Sequence, residues 1–253
     1  MKFSNKLLQG YLLSRYKRFF ADVEYNGEKI TIHVPNTGSL KGVIEKNIKQ
    51  KCLFSLHGDN QKKLKGTLEA VQTSEGAWVG VNTSNPNRIV REAIENSLKQ
   101  KKSFFNHWQD YRHYQWEYKI SKETRLDGVF CREKSDFNDE KSLKHFVEIK
   151  NTTLASKVNG KIIAMFPDAI TERGQKHLKE LMKLMDQGHK AELLFTIQRE
   201  DAVAFTIAKD IDPEYFLLFR KAIEQGLVVT PALVIINENE VKLTNQLLPL
   251  QME

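Results

Sequence analysis

The sequence predicts an α/β (α+β) protein in two parts, a small β-barrel or sandwich followed by a mixed sheet flanked by helices. Three observations carry this. Short β-like stretches punctuated by turn signals fill residues 1–83, and a helix-like segment opens at Arg88 behind "SNPN". From there, strand-like and helix-like stretches interleave toward the C-terminus. The 253 residues, 40% of them hydrophobic, are ample for one large or two modest cores. Charges are interspersed rather than blocked, which argues against wholesale disorder.

In order, "RFFADVEY", "EKITIHV", "CLFSLHG", "KLKGTLEAV" and "AWVGVNT" read as strands. Asn26-Gly27, "PNTGS" at 35–39, "HGDN" at 57–60 and "SEG" at 74–76 read as the turns between them. Strands at this spacing form a small antiparallel barrel or sandwich. "SNPN" at 84–87 is the linker, giving domains 1–83 and 84–253. "RIVREAIENSLKQ" is a helix, and "YQWEYKI", "TRLDGVFCRE" and "KHFVEIK" are three successive strands, with a polar excursion at 134–143. A long helix lies within 168–188. Leu178, Leu181, Met182 and Met185 form its apolar stripe, Gly188 stops it, and Asp168 of "FPDA" is read as its cap. "AELLFTIQRED" is a strand, and "DPEYFLLFRKAIEQG" is a helix with Pro213 in its first turn and Gly226 at its end. "LVVTPALVII" and "EVKLTNQ" close the chain as strands.

The formal charge of +7 favours a polyanionic partner, because each cation set against a phosphate displaces a condensed counterion. Two distant cysteines, Cys52 and Cys131, exclude a disulfide scaffold and a zinc site and fit a reducing cytosol. The N-terminal stretch lacks the apolar core and cleavage site of a signal peptide. The longest apolar run, "LVVTPALVII", is too short to span a bilayer and contains Pro231. A cytoplasmic protein without a membrane partner is expected; oligomeric state is not encoded legibly.

"KHFVEIKNTTL" at 144–154 holds the chemistry. Glu148 and Lys150, two apart on a strand, project from one face. Asp127 sits on the preceding strand, where antiparallel pairing would bring it alongside. Two carboxylates can hold Mg2+ or Mn2+, and an ammonium can orient the metal's water or steady charge at phosphorus. Asp127, Glu148 and Lys150 are therefore the catalytic candidates, and Glu117, one strand earlier, is a supplementary metal ligand. A structural ion-pair cluster is the competing reading. Candidate nucleic-acid contacts are Lys62, Lys63 and Lys65 of "KKLK", Arg173 on the long helix, and Arg199 at a strand end. Arg15, Lys17 and Arg18 add positive charge near Phe19, although most barrel aromatics are expected in the core. Gln198 beside Arg199 would contact water or phosphate, or simply reach solvent. Glu92 is an ordinary helix-surface glutamate or a further ligand. His177, four residues after Arg173, is read as a half-buried histidine beside the apolar stripe.

The order of helix, three strands, helix and strand, with Asp127 one strand before "EIK", resembles the core of the PD-(D/E)xK nucleases. "RYKRFFADV", "HVPNTGSLKG", "KLKGTLEAV", "WVGVNTSNPN", "VEIKNTTL", "AMFPDAITERGQKHLKEL", "LLFTIQREDAVAF" and "IDP" resemble the sugar fermentation stimulation protein A family, block by block over nearly the whole chain. Departures are Val34 where that family has Cys, and "KETRLDGVF" in place of "SRIDF". The resemblance implies an OB-like barrel, then a PD-(D/E)xK nuclease-like domain with Asp127, Glu148, Lys150 and Glu117 as its site. It also implies DNA binding and a link to expression of sugar-utilisation genes. Two functions stay open: a Mg2+- or Mn2+-dependent endonuclease, and a DNA-binding regulator that does not cut. RNA stays open as a substrate.

Overall fold

In a computed structural model, which describes residues 1–45, 47–58, 63–121 and 124–252, the first strands are β1 (Leu8–Tyr16), β2 (Phe20–Tyr25), β3 (Glu28–His33), β4 (Gln50–Leu56) and β5 (Gly66–Gln72). They pair in the order β3-β2-β1-β4-β5, and a β3–β5 contact at His33 and Thr67 closes the ring. It is a barrel, not a sandwich. Alternation drives it: Ala21 and Val23, then Ile30 and Ile32, turn inward with Leu12, Phe54 and Leu68. At the closure, a Cβ on Gly66 would stand 2.2 Å from the Ser55 carbonyl oxygen, so only glycine fits there. β6 (Trp78–Gly80) extends β5 and leads out of the barrel.

The remaining elements are α1 (Asn85–Gln100), β7 (His113–Lys119), β8 (Arg125–Cys131), β9 (His145–Thr152), β10 (Ala155–Val158), β11 (Lys161–Phe166), α2 (Glu172–Asp186), β12 (Lys190–Ile197), β13 (Ala202–Ile207), α3 (Pro213–Glu224), β14 (Val228–Ile236), β15 (Val241–Leu247) and β16 (Leu250–Gln251). The main sheet runs β15-β14-β12-β9-β8-β7. β12 pairs in parallel with β9 and β14, while the outer pairings are antiparallel. α1 lays Ile89, Val90, Ala93 and Ile94 against one face, meeting Val147 and Ile149 of β9. α2 and α3 cover the other, where Leu178, Leu181 and Phe219 meet Phe146 and Phe195. Apolar contacts on both sides leave β9 central and buried.

Two features depart from the sequence expectation. A hairpin, β10–β11, stands between β9 and α2 and forms a second sheet, β10-β11-β13-β16. Its signal is Asn159-Gly160, both at positive φ, a strong two-residue hairpin turn. The second departure corrects Asp168. The N-cap of α2 is Thr171, whose Oγ1 accepts the Gly174 N–H at 3.1 Å, and Asp168 lies outside the helix. Residues before β1 pair away from the barrel: Phe3 and Leu7 donate their N–H groups to the Asn239 and Glu238 carbonyls. Among the described residues no helix is long and apolar enough to cross a membrane. Cys52 and Cys131 are both free and buried.

Candidate active site

The β8–β9 ladder pairs Phe130 with His145, Val129 with Phe146, and Gly128 with Val147. Continuing that register sets Asp127 opposite Glu148, and opposed residues of an antiparallel pair share a face. There the ladder gives way to side chains. The Ile149 N–H donates to Asp127 Oδ2 at 2.7 Å, and the Asp127 N–H reaches Glu148 Oε2 at 3.4 Å. Asn87, in the first turn of α1, donates to Asp127 Oδ1 at 3.0 Å. Lys150 Nζ lies 2.7 Å from Glu148 Oε1, and the same oxygen meets His177 Nδ1 of α2. Arg173, one turn earlier on α2, points Nε at His177 Nε2 across 3.5 Å. Facing a carboxylate oxygen, which can only accept, His177 Nδ1 is the donor to Glu148.

These groups open into a cleft of about 470 Å³ lined by Asp127, Glu148, Lys150, Asn151, Asp168 and Arg173 among others. Burial, then the neighbouring Glu148 charge, push the Asp127 carboxyl up to about 6. Burial acts on Glu148 in the same direction, but Lys150 and His177 outweigh it and hold Glu148 below the ordinary carboxylate range. One carboxylate is compensated and the other is not. A hard cation between them would relieve that repulsion. Mg2+ takes one or two carboxylates and keeps several waters, so this donor set fits it. Among the described residues no group of three or more His, Cys, Asp and Glu side chains is placed to hold a metal. A closed, zinc-like cage is therefore not what these residues form.

The structure brings together Asp127, Glu148, Lys150 and Arg173, and it removes two other candidates. Glu117 is corrected: its side chain is 73% exposed, its carboxylate pairs with Arg125 at 2.9 Å, and it does not line the cleft. Arg199 is also corrected as a nucleic-acid contact. It is buried, with Nε and Nη2 bound to Asp201 and Nη1 on the Thr153 carbonyl. Gln198 is likewise buried, with Oε1 packed where a Cβ on Gly80 would lie. Glu92 pairs with the terminal amino group of Met1. Lys63 and Lys65 are exposed but line neither this cleft nor its neighbour, and Lys62 lies outside the described residues. His177 is the residue that sequence reasoning undervalued. It is buried, as its apolar neighbours suggest, yet it is spent on Glu148. Only the placement of α2 over β9 reveals this.

Comparison with known proteins decides the ancestry. Residues 84–240 match the family model described as "Sugar fermentation stimulation protein RE domain", and residues 13–81 match "SfsA N-terminal OB domain". The sugar fermentation stimulation protein homolog of Bdellovibrio bacteriovorus is 50% identical over 255 residues, covering 100% of both chains. The chain belongs to the sugar fermentation stimulation protein family. Another member, from Alteromonas mediterranea, is 38% identical over 99% of each chain. A solved structure, that of Pyrococcus furiosus SfsA in complex with Ca2+, superposes with a TM-score of 0.77 over 99% of this chain and 98% of that one. At 23% identity it shows the shared fold. The barrel is thus of the OB type, and the mixed sheet with its three helices is a restriction-endonuclease-like domain.

Proposed function

We propose that this family member is a cytoplasmic, divalent-metal-dependent DNA endonuclease, with residues 84–253 carrying the catalytic site and residues 1–83 gripping the substrate. The observation that carries the reading is the pair Asp127 and Glu148, opposed on β8 and β9 in an open cleft, with the Lys150 ammonium on Glu148. Pure phosphate binding has no use for two carboxylates, which repel it. Support for a metal comes from the Ca2+ in the Pyrococcus relative, an ion with the same preference for oxygen ligands as Mg2+.

Asp127 and Glu148 would hold Mg2+ or Mn2+, which when bound supplies a Lewis acid and a water of lowered pKa. Lys150 orients the attacking water and steadies negative charge at phosphorus. His177 and Asn87 fix the two carboxylates in place. Arg173, exposed at the cleft rim, meets a substrate phosphate. The test is cleavage of plasmid and single-stranded DNA in Mg2+ or Mn2+. Asp127→Asn, Glu148→Gln and Lys150→Met are each expected to slow it at least about 100-fold. Absence of cleavage in every metal, with DNA binding retained and indifferent to EDTA, would leave a non-cutting DNA-binding regulator.

A further inference from the structure

A cleft of about 850 Å³ adjoins the Asp127–Glu148 site and lies against the barrel. Leu13, Ile44 and Ile48 supply apolar lining, and Arg15, Lys17 and Arg18 supply cations against the carboxylates of Glu45 and Asp168. Tyr16 also lines it, 40% exposed and stacked on Phe20 with centroids 5.7 Å apart. Thr37, Gly38 and Asp168 line this cleft and the Asp127–Glu148 cleft alike, so the two are continuous across a ridge. The ridge is braced. Arg15 donates to the Gly38 and Asn36 carbonyls at 2.9 and 2.7 Å, and Asn36 Oδ1 accepts the Gly38 N–H at 2.8 Å. A Cβ on Gly38 would stand 2.5 Å from Asp168 Oδ2, so the absence of a side chain at Gly38 leaves room for the Asp168 carboxylate where it stands.

The lip of this cleft is the loop between β1 and β2. Tyr16 pairs with Phe20, which leaves Lys17, Arg18 and Phe19 as the hairpin loop. Lys17 has φ 46° and Arg18 has φ 63°, in the left-handed region that favours glycine and asparagine. Both side chains are exposed, and neither is ion-paired among the described residues. Adjacent positive-φ residues are what a tight hairpin turn demands, and here both carry long cationic side chains, exposed, at the edge of the cleft.

We propose that this cleft binds single-stranded DNA, with phosphates on Lys17 and Arg18 and unstacked bases against Tyr16, Leu13 and Ile48, and delivers the strand over Gly38 to Asp127 and Glu148. It deepens the nuclease reading and, for delivery to that site, rests on it. A duplex hides its bases and offers only phosphates, so an apolar-lined cleft behind a cationic lip gains affinity from an unpaired strand alone.

The experiment uses the full chain in EDTA, with labelled oligo(dT) of about 20 nucleotides, enough to cover one OB site, and a duplex of equal length. Lys17→Gly combined with Arg18→Gly removes both charges from a backbone conformation that glycine adopts without strain, so lost binding is not lost folding. Oligo(dT) affinity is expected to fall about tenfold, and the slope of log affinity against log salt by about 1.4, the value for two single-strand phosphate contacts. Ile48→Asp is expected to weaken oligo(dT) more than duplex, and Lys209→Gln with Lys221→Gln, exposed residues that line neither cleft, to leave both nearly unchanged. Wild-type oligo(dT) binding by the double glycine variant, or equal losses for strand and duplex, would overturn the assignment. Cleavage in Mg2+ or Mn2+ is read separately. Its absence, with this binding pattern intact, removes the nuclease reading while the cleft remains a strand-binding site.

Discussion

At Asp127 the metal role proposed above opposes the stability of the fold. Burial and the adjacent Glu148 charge raise its pKa to about 6, above that of an exposed aspartate, so keeping it ionised costs stability. The sign follows: an acid with a raised folded pKa imposes a penalty that begins near pH 4 and is complete above about 6. Asp127→Asn is therefore expected to stabilise the metal-free protein by about 2 kcal/mol at pH 8, a rise in Tm of about 4–8 °C. That gain should shrink as the pH falls from 6 toward 4. A calorimetric scan showing no gain at pH 8 would mean that Asp127 is not strained by its neighbour. Glu148 behaves differently because Lys150 and His177 both face it. Glu-x-Lys was legible because i, i+2 on a strand is local geometry. His177 was not, because its partner is 29 residues away.

At the scale of elements, the start of α2 decides whether Arg173 and His177 reach the site. Asp212, buried at the start of α3, serves both helices. It accepts the Tyr215 N–H of its own helix, the Thr171 N–H at the α2 cap, and the Gln175 amide, each at 2.9 Å. Asp212→Ala leaves those donors unsatisfied in a buried junction and is expected to cost about 2–3 kcal/mol, lowering Tm by about 5–10 °C. The cleavage proposed for the Asp127–Glu148 site should fall with it, since α2 carries His177. A Tm drop below about 2 °C would show that the two helices hold their starts by other means. The helices, β8 and β9 could be read from periodicity and caps. The β10–β11 hairpin was missed despite its Asn-Gly turn, since "KIIAMF" runs into the helix that follows and carries no alternation of its own.

Across the whole molecule, a second charged cluster lies on the α1 side of the sheet. Glu192 on β12 is fully buried and accepts from His107 at 3.0 Å, Trp108 at 2.9 Å and Thr230 at 2.6 Å. His145 Nε2 lies 3.1 Å from the same carboxylate, outside hydrogen-bond geometry. Burial would raise the Glu192 pKa, yet the histidines outweigh it and hold it far below the usual range. The cluster ties the segment between α1 and β7 to β9, β12 and β14. A depressed carboxylate lends stability above its unfolded pKa, near 4.5, and loses it as pH falls below that. Glu192→Gln is expected to cost about 3 kcal/mol at pH 7, and its deficit in urea midpoint should narrow between about pH 4.5 and 3. A deficit constant with pH would sink this account. By itself the sequence determined an all-β first part followed by interleaved strands and helices, and placed Asp127 one strand before Glu148 and Lys150, because alternation and helical period act over a few residues. Tertiary structure alone decided that Glu117 and Arg199 stand outside the site, that His177 belongs to it, and that two clefts meet at Gly38. Those outcomes depend on which distant side chains pack together, and no local pattern encodes that.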